Sequence, residues 1–209
     1  MDKDKKTVIT ISREPGSGGS FIGRALAREL GISYVDREIV REAAKYFKLP
    51  ENKIDSLDEK LRSFWDSFYV NINGYQDVYL PPQIVGPTDW ELFEIESMII
   101  RKIAEIRSAV IIGRCGFHVL KDCAHHIRVF LYADKDFRID RIKKLRNLSY
   151  EEAKTMVLQS DKDRKNYYKT FTGKDWSDTG NYDIAINTTS IDLLAAVKMI
   201  MNFIYAFKE

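Results

Sequence analysis

Thr7-Val-Ile-Thr-Ile-Ser12 passes directly into Arg13-Glu14-Pro15-Gly16-Ser17-Gly18-Gly19-Ser20, after which Ile22, Ala25, Leu26 and Leu30 recur at helical spacing. The first run is rich in β-branched residues and reads as a strand. The later apolar positions share one helix face, and Gly31 is placed to stop that helix. Small residues between a strand and a helix let the backbone curl so that several N–H groups point inward. The positive end of the helix reinforces that field, and glycine takes the positive φ angles without a Cβ penalty. A phosphate group is the predicted occupant, with Gly16, Ser17, Gly18, Gly19 and Ser20 as its cradle. The alternative is a tight turn that holds no ligand. The loop does not satisfy the strict G-x-x-x-x-G-K-[ST] pattern.

Outward from the loop, short apolar runs alternate with longer helical patterns, the mark of a parallel sheet with crossover helices. Ile32–Val35, Ala109–Ile112, Ile127–Tyr132 and Tyr182–Ile186 are the further strands. Asp134 to Arg146 and Ser190 to Phe207 are helices, the last apolar over a wide arc that packs on the sheet, a dimer face being the lesser reading. The fold class is therefore α/β, three layers around a five-stranded parallel sheet. One domain spans 1–209. Residues 46–92 interrupt the alternation with Phe64, Trp65, Phe68, Tyr69, Tyr75 and Tyr79, then two prolines at Pro81-Pro82. They are predicted to be a helical insertion, whose aromatics form a satellite core or stack on a base.

The 209 residues are 44% hydrophobic and 31% charged, with a formal charge of +2, ordinary for a soluble domain. No one-sided basic excess points to nucleic acid. No run approaches a membrane span, the N-terminus lacks the apolar core of a signal peptide, and two cysteines build no disulfide framework, so a cytoplasmic location is expected. Cys115, His118, Cys123, His125 and His126 fall close together, but a buried thiol with surface histidines is preferred to zinc.

Ser149-Tyr-Glu-Glu152 has the form of a capping box. The helix it opens carries Ala153, Met156, Val157 and Ser160 on one face, continuing to Arg164, Tyr167, Tyr168 and Phe171. An arginine on such a stripe needs an anion. Asp161 and Asp36 are structural options and a bound phosphate is the functional one. Lys162, Lys165, Lys169 and Lys174 crowd residues 160–180, which suits a lid over phosphates or a solvated face. Arg138 and Arg141 are further donors, with surface pairing of Arg138 to Asp134 as the default.

The chain resembles the cytidylate kinase-like family, a branch of the P-loop nucleoside-monophosphate kinases. The resemblance rests on Ile9-Thr-Ile-Ser-Arg-Glu-Pro-Gly-Ser-Gly-Gly-Ser, Tyr34-Val-Asp-Arg-Glu-Ile39, Ile111-Ile-Gly-Arg114, Asp161-Lys-Asp-Arg164 and Asn181-Tyr-Asp-Ile-Ala-Ile-Asn187, in the family's order. It implies a P-loop core, a monophosphate-binding insertion and a lid. The implied activity is transfer of the γ-phosphoryl group of ATP, with Mg2+, to a small phosphorylated acceptor such as CMP. The same likeness places the family's phosphate-gripping lysine on Gly19, its magnesium-binding hydroxyl on Phe21 and an expected aspartate on Cys115. An active enzyme then needs a replacement cation, and Arg13 is the first candidate, salt bridges to Glu14 or Glu29 being the alternative. Arg164 and Arg141 complete the catalytic set, with Asp161 orienting Arg164. Ser20 and Asp36 are the candidate magnesium ligands. Asp36, Arg37, Arg41 and Arg114 are the candidate acceptor residues. The partner is a small-molecule nucleotide or phosphorylated substrate, with neither nucleic acid nor membrane expected and the oligomeric state open, a dimer included. A regulatory protein that binds nucleotide without turnover is the rival.

Overall fold

The structure is a computed structural model that describes residues 6–36 and 87–207. Arg37, Arg41 and the 46–86 part of the expected insertion lie outside the described residues; residues 87–92 open a long helix. The elements in chain order are β1 (Val8–Arg13), α1 (Gly19–Leu30), β2 (Ser33–Val35), α2 (Pro87–Ile106), β3 (Ala109–Ile112) and α3 (Gly116–Val119). Then come β4 (His126–Tyr132), α4 (Lys135–Arg146), α5 (Tyr150–Thr172), a 3-10 turn (Thr179–Asn181), β5 (Ile184–Asn187) and α6 (Leu193–Ala206).

All strand pairs are parallel and the order across the sheet is β2-β3-β1-β4-β5. Parallel strands covered on both faces need apolar side chains throughout. Val8, Ile9, Ile11, Val110, Ile111, Val129 and Leu131 supply them, none exposing measurable surface. α1 lays Ile22, Ala25 and Leu26 against β3 and α6. The central position of β1 puts the glycine loop at the middle of the sheet's C-terminal rim, where open α/β sheets bind ligands.

Several local signals set the helix ends. Ser149 Oγ accepts the Glu152 amide while Glu152 returns a bond to the Ser149 amide at 2.8 Å, so the capping box forms as read. Asp192 accepts from the Leu194 amide at the start of α6. A small second core of Ile139, Ile142, Ala153 and Val157 locks α4 against α5. That contact fixes where the charged residues of both helices meet the loop.

Residues 160–180, read from sequence as a hinged lid, continue α5 and a following turn. Tyr168 stacks on Phe117 with ring centroids 5.7 Å apart, and Trp176 meets Phe130 edge-on at 5.6 Å. Tyr168, Phe171 and Trp176 are buried. Among the described residues no helix is long and apolar enough to cross a membrane.

Candidate active site

The loop after β1 is pinned by its own side chains and left open at its amides. Ser17 Oγ donates to the Glu14 carbonyl at 2.8 Å, and Thr188 Oγ1 donates to the Ser17 carbonyl at 2.9 Å. Gly16 and Gly18 sit at φ 84° and 85°, where a side chain is strained. Among the described residues the amides of Gly18, Gly19 and Ser20 meet no acceptor, whereas Ile22 N–H already closes the first helical bond to Gly18. These are the orphan donors of a helix N-terminus, and they face a cleft.

That cleft measures about 490 Å³. Beside the loop, it is lined by Arg13, Arg24, Arg141, Arg146 and Arg164, with Glu14 as the one acid. Arg164, from α5, donates through Nη1 to the Arg13 carbonyl and places its guanidinium 6.0 Å from the Trp176 ring. Arg24 lies over the Tyr34 ring at 5.4 Å. Opposite charge is what such a surface attracts most strongly.

Glu14 is held by a residue that sequence reasoning assigned to the surface. Arg138, 5% exposed, puts Nε 3.1 Å from Glu14 Oε2 and forks onto Asp161, with Nη1 and Nη2 each 3.0 Å from Oδ2. Its Nε also donates to the Ala133 carbonyl, and Glu14 Oε2 accepts the Ala133 amide at 3.0 Å. Burial raises the Glu14 carboxyl above its ordinary value, while the Ala133 amide and Arg138 work to lower it. Two readings are corrected here. Asp161 forks onto Arg138, not Arg164, because α4 packs directly against that turn of α5. Arg138 turns inward, away from Asp134, because the loop carboxylate is there to neutralise it.

The alternatives for Arg13 also resolve. Glu14 is taken by Arg138, and Glu29 stands 3.9 Å from Arg28 on the exposed face of α1. Arg13 instead runs across the first residue of α1: a Cβ built on Gly19 would stand 2.6 Å from Arg13 Cγ. With Gly19 in the lysine position, the register of the P-loop pattern puts the following hydroxyl at Ser20, not Phe21. Ser20 and Phe21 both line the cleft, and of the two only Ser20 carries a hydroxyl.

At the end of β3, Gly113, Arg114 and Cys115 all adopt positive φ, the latter two at 53°. A left-handed conformation costs on the order of 1–2 kcal/mol per non-glycine residue and concentrates at functional turns. Arg114 is 8% exposed, lies 3.0 Å from Glu96 of α2 and donates to Tyr167 Oη at 2.8 Å. Its Nε and Nη2 have no hydrogen-bond partner among the described residues. Burial works against its charge, but Tyr167 and Glu96 outweigh that and hold it protonated. Cys115 is fully buried, and burial pushes its thiol far up.

Asp36 follows β2 and is not among the cleft-lining residues. No group of three or more His, Cys, Asp or Glu gathers to hold a metal among the described residues. His126 departs from the surface placement expected of it. It is buried between Thr10 Oγ1, 2.7 Å from Nε2, and the Leu120 carbonyl, 2.9 Å from Nδ1.

A parallel sheet of this order, with a glycine loop closing its central strand onto a helix, defines a P-loop kinase fold. The shikimate kinase from Acinetobacter baumannii in complex with shikimate shares it, at 16% identity and a TM-score of 0.52 over 97% of this chain and 95% of that one. The chain belongs to the cytidylate kinase-like family, whose model matches residues 8–190. It is 26% identical to the cytidylate kinase of Sulfurisphaera tokodaii over 95% of this chain and 97% of that protein. The cytidylate kinase of Sulfolobus acidocaldarius is 27% identical, covering 87% and 85%. An uncharacterized protein from Eubacterium ventriosum has a solved structure with a TM-score of 0.73 and 26% identity, covering 97% of this chain and all of that one.

Proposed function

We propose that this member of a kinase family transfers the γ-phosphoryl group of ATP to a small phosphorylated acceptor, with nucleoside monophosphates, CMP first, as the acceptors to test. The observation that carries this reading is the open row of amides at Gly18, Gly19 and Ser20 facing a cleft lined by five arginines. In the reaction an acceptor phosphate oxygen attacks the γ-phosphorus, the bond to the β-bridging oxygen breaks, and ADP leaves. Such transfer needs little covalent chemistry from the protein and depends on positioning and on cations around the moving charge.

The amides take the donor phosphates. Arg13 and Arg164, which both line the cleft, stabilise the transferring group together with Arg141 of α4. Ser20 is the residue that would hold a magnesium ion, which when bound would offset negative charge at the nucleotide's phosphates. Asp36 remains a candidate ligand from the rim of β2. Arg114, just past the end of β3, is proposed to orient the acceptor's phosphate through the N–H groups that Glu96 and Tyr167 leave over.

The test is formation of ADP from MgATP with a panel of nucleoside monophosphates. ADP that appears only with one acceptor supports the proposal. Binding of ATP with no ADP across the panel favours the second reading, a nucleotide-binding protein without turnover, for which glycine at the lysine position speaks.

A further inference from the structure

We infer that the loop is a cation-exchanged P-loop, in which Arg13 has traded places with the usual lysine and Gly19 and Gly113 are the spaces that admit it. The inference rests on the proposed donor site and specifies its chemistry. In the strict pattern the first position is glycine and the seventh is lysine. Counted onto this chain, those positions are Arg13 and Gly19, with Gly18 and Ser20 in their regular places. One residue gained a long cationic side chain and the other lost it.

The packing shows that the two changes are one. The Arg13 stem lies over Gly19, with Cγ, Cβ and Cδ at 2.6, 2.8 and 3.4 Å from where a Cβ on Gly19 would stand. A lysine stem there would occupy the same volume. At the far end, Nη1 of Arg13 lies against Gly113, so closely that a Cβ there would overlap it. Gly113 also sits at φ 73°, where any side chain is strained, while the overlapping guanidinium end is itself free to shift. The arginine thus threads between the loop and the end of β3. Its guanidinium is delivered from the strand side, beside the Gly113-Arg114-Cys115 turn, where a lysine on α1 would deliver an ammonium from the helix side. Among the described residues that guanidinium forms no ion pair or hydrogen bond. A planar fork in that place can hold two oxygens at once, unlike a point charge.

The exchange predicts a reciprocal pattern. Arg13→Gly removes the cation. Gly19→Lys overlaps Arg13. The double variant Arg13→Gly/Gly19→Lys rebuilds G-x-x-x-x-G-K-S and has both the space and the charge. MgATP binding is measured by calorimetry on all four proteins, with melting temperatures as the control for folding, and turnover is measured where it occurs. Each single variant is expected to weaken MgATP binding at least tenfold, and the double variant to return within about threefold of the wild type. Gly19→Ala separates sterics from charge: it should weaken binding in the Arg13 protein and change nothing further in the Arg13→Gly protein. Single effects that simply add, or a Gly19→Ala that is silent beside Arg13, would overturn the exchange. Because binding is read without an acceptor, absence of turnover would refute the kinase reading while leaving this inference standing.

Discussion

Arg138→Met tests whether the loop is strutted from α4 and α5. The side chain is 6% exposed and sits between Glu14 and Asp161, which expose 19% and 27%. Methionine keeps the volume and removes the charge, leaving two carboxylates facing one another. Breaking a buried pair by removing one partner costs about 3–5 kcal/mol. Both carboxylates retain some water, and Glu14 keeps the Ala133 amide, so the loss should lie near the lower end, about 3 kcal/mol. That is a large share of a typical domain's stability, about 5–15 kcal/mol.

Urea unfolding followed by fluorescence gives the loss directly. The Glu14 carboxyl is already raised above 4.5 by burial, and Arg138 is one of the groups holding it down. Without Arg138 it rises further. An acid with a raised folded value binds its proton in the folded state first, so folding gains as pH falls towards that value. The deficit of Arg138→Met is therefore full at neutral pH and shrinks on acidification. Replacing Glu14 and Asp161 by Gln and Asn in the same background removes the stranded charges and should recover part of the loss. A loss below about 1 kcal/mol, the scale of an exposed pair, or one independent of pH, would refute the strut.

Burial holds His126 down to about 4 from 6.5. The folded protein keeps it neutral while the unfolded chain takes up a proton below 6.5, so stability is full above that pH and falls towards pH 4. The fall is up to about 3 kcal/mol, and His126→Gln should flatten the urea midpoint across that window. Ser149→Ala removes the cap of α5 and should cost about 1 kcal/mol, read as a lower melting temperature. Tyr167→Phe removes the acceptor of the Arg114 bond and should cost about 1–2 kcal/mol, and a titration with the productive acceptor should show weaker binding than in the wild type.

The sheet was legible because parallel strands buried on both faces need unbroken apolar runs, and β3 and β4 have them. Ala109–Ile112 falls where it was read, and β4 begins one residue earlier, at His126. The last strand shifts to Ile184–Asn187, since Tyr182 leaves the ladder to stack on Phe130 at 5.0 Å. The glycine loop was legible from its place between a strand and a helix. Arg138 was not: an i,i+4 acid beside an arginine looks like surface pairing, and only the packing of α4 on α5 turns it inward. The Arg13–Gly19 contact was hidden for a related reason. A missing lysine is visible in sequence, whereas the volume it vacated is visible only once β1 and α1 are set side by side.

On the proposed function, the amides of Gly18, Gly19 and Ser20 receive a nucleotide's phosphates. Backbone nitrogen-15 NMR during a titration with MgATP addresses those three groups individually. Large, saturable downfield shifts confined to the loop and the arginines of the cleft are predicted. Saturating nucleotide that leaves the three amides unmoved would contradict the account.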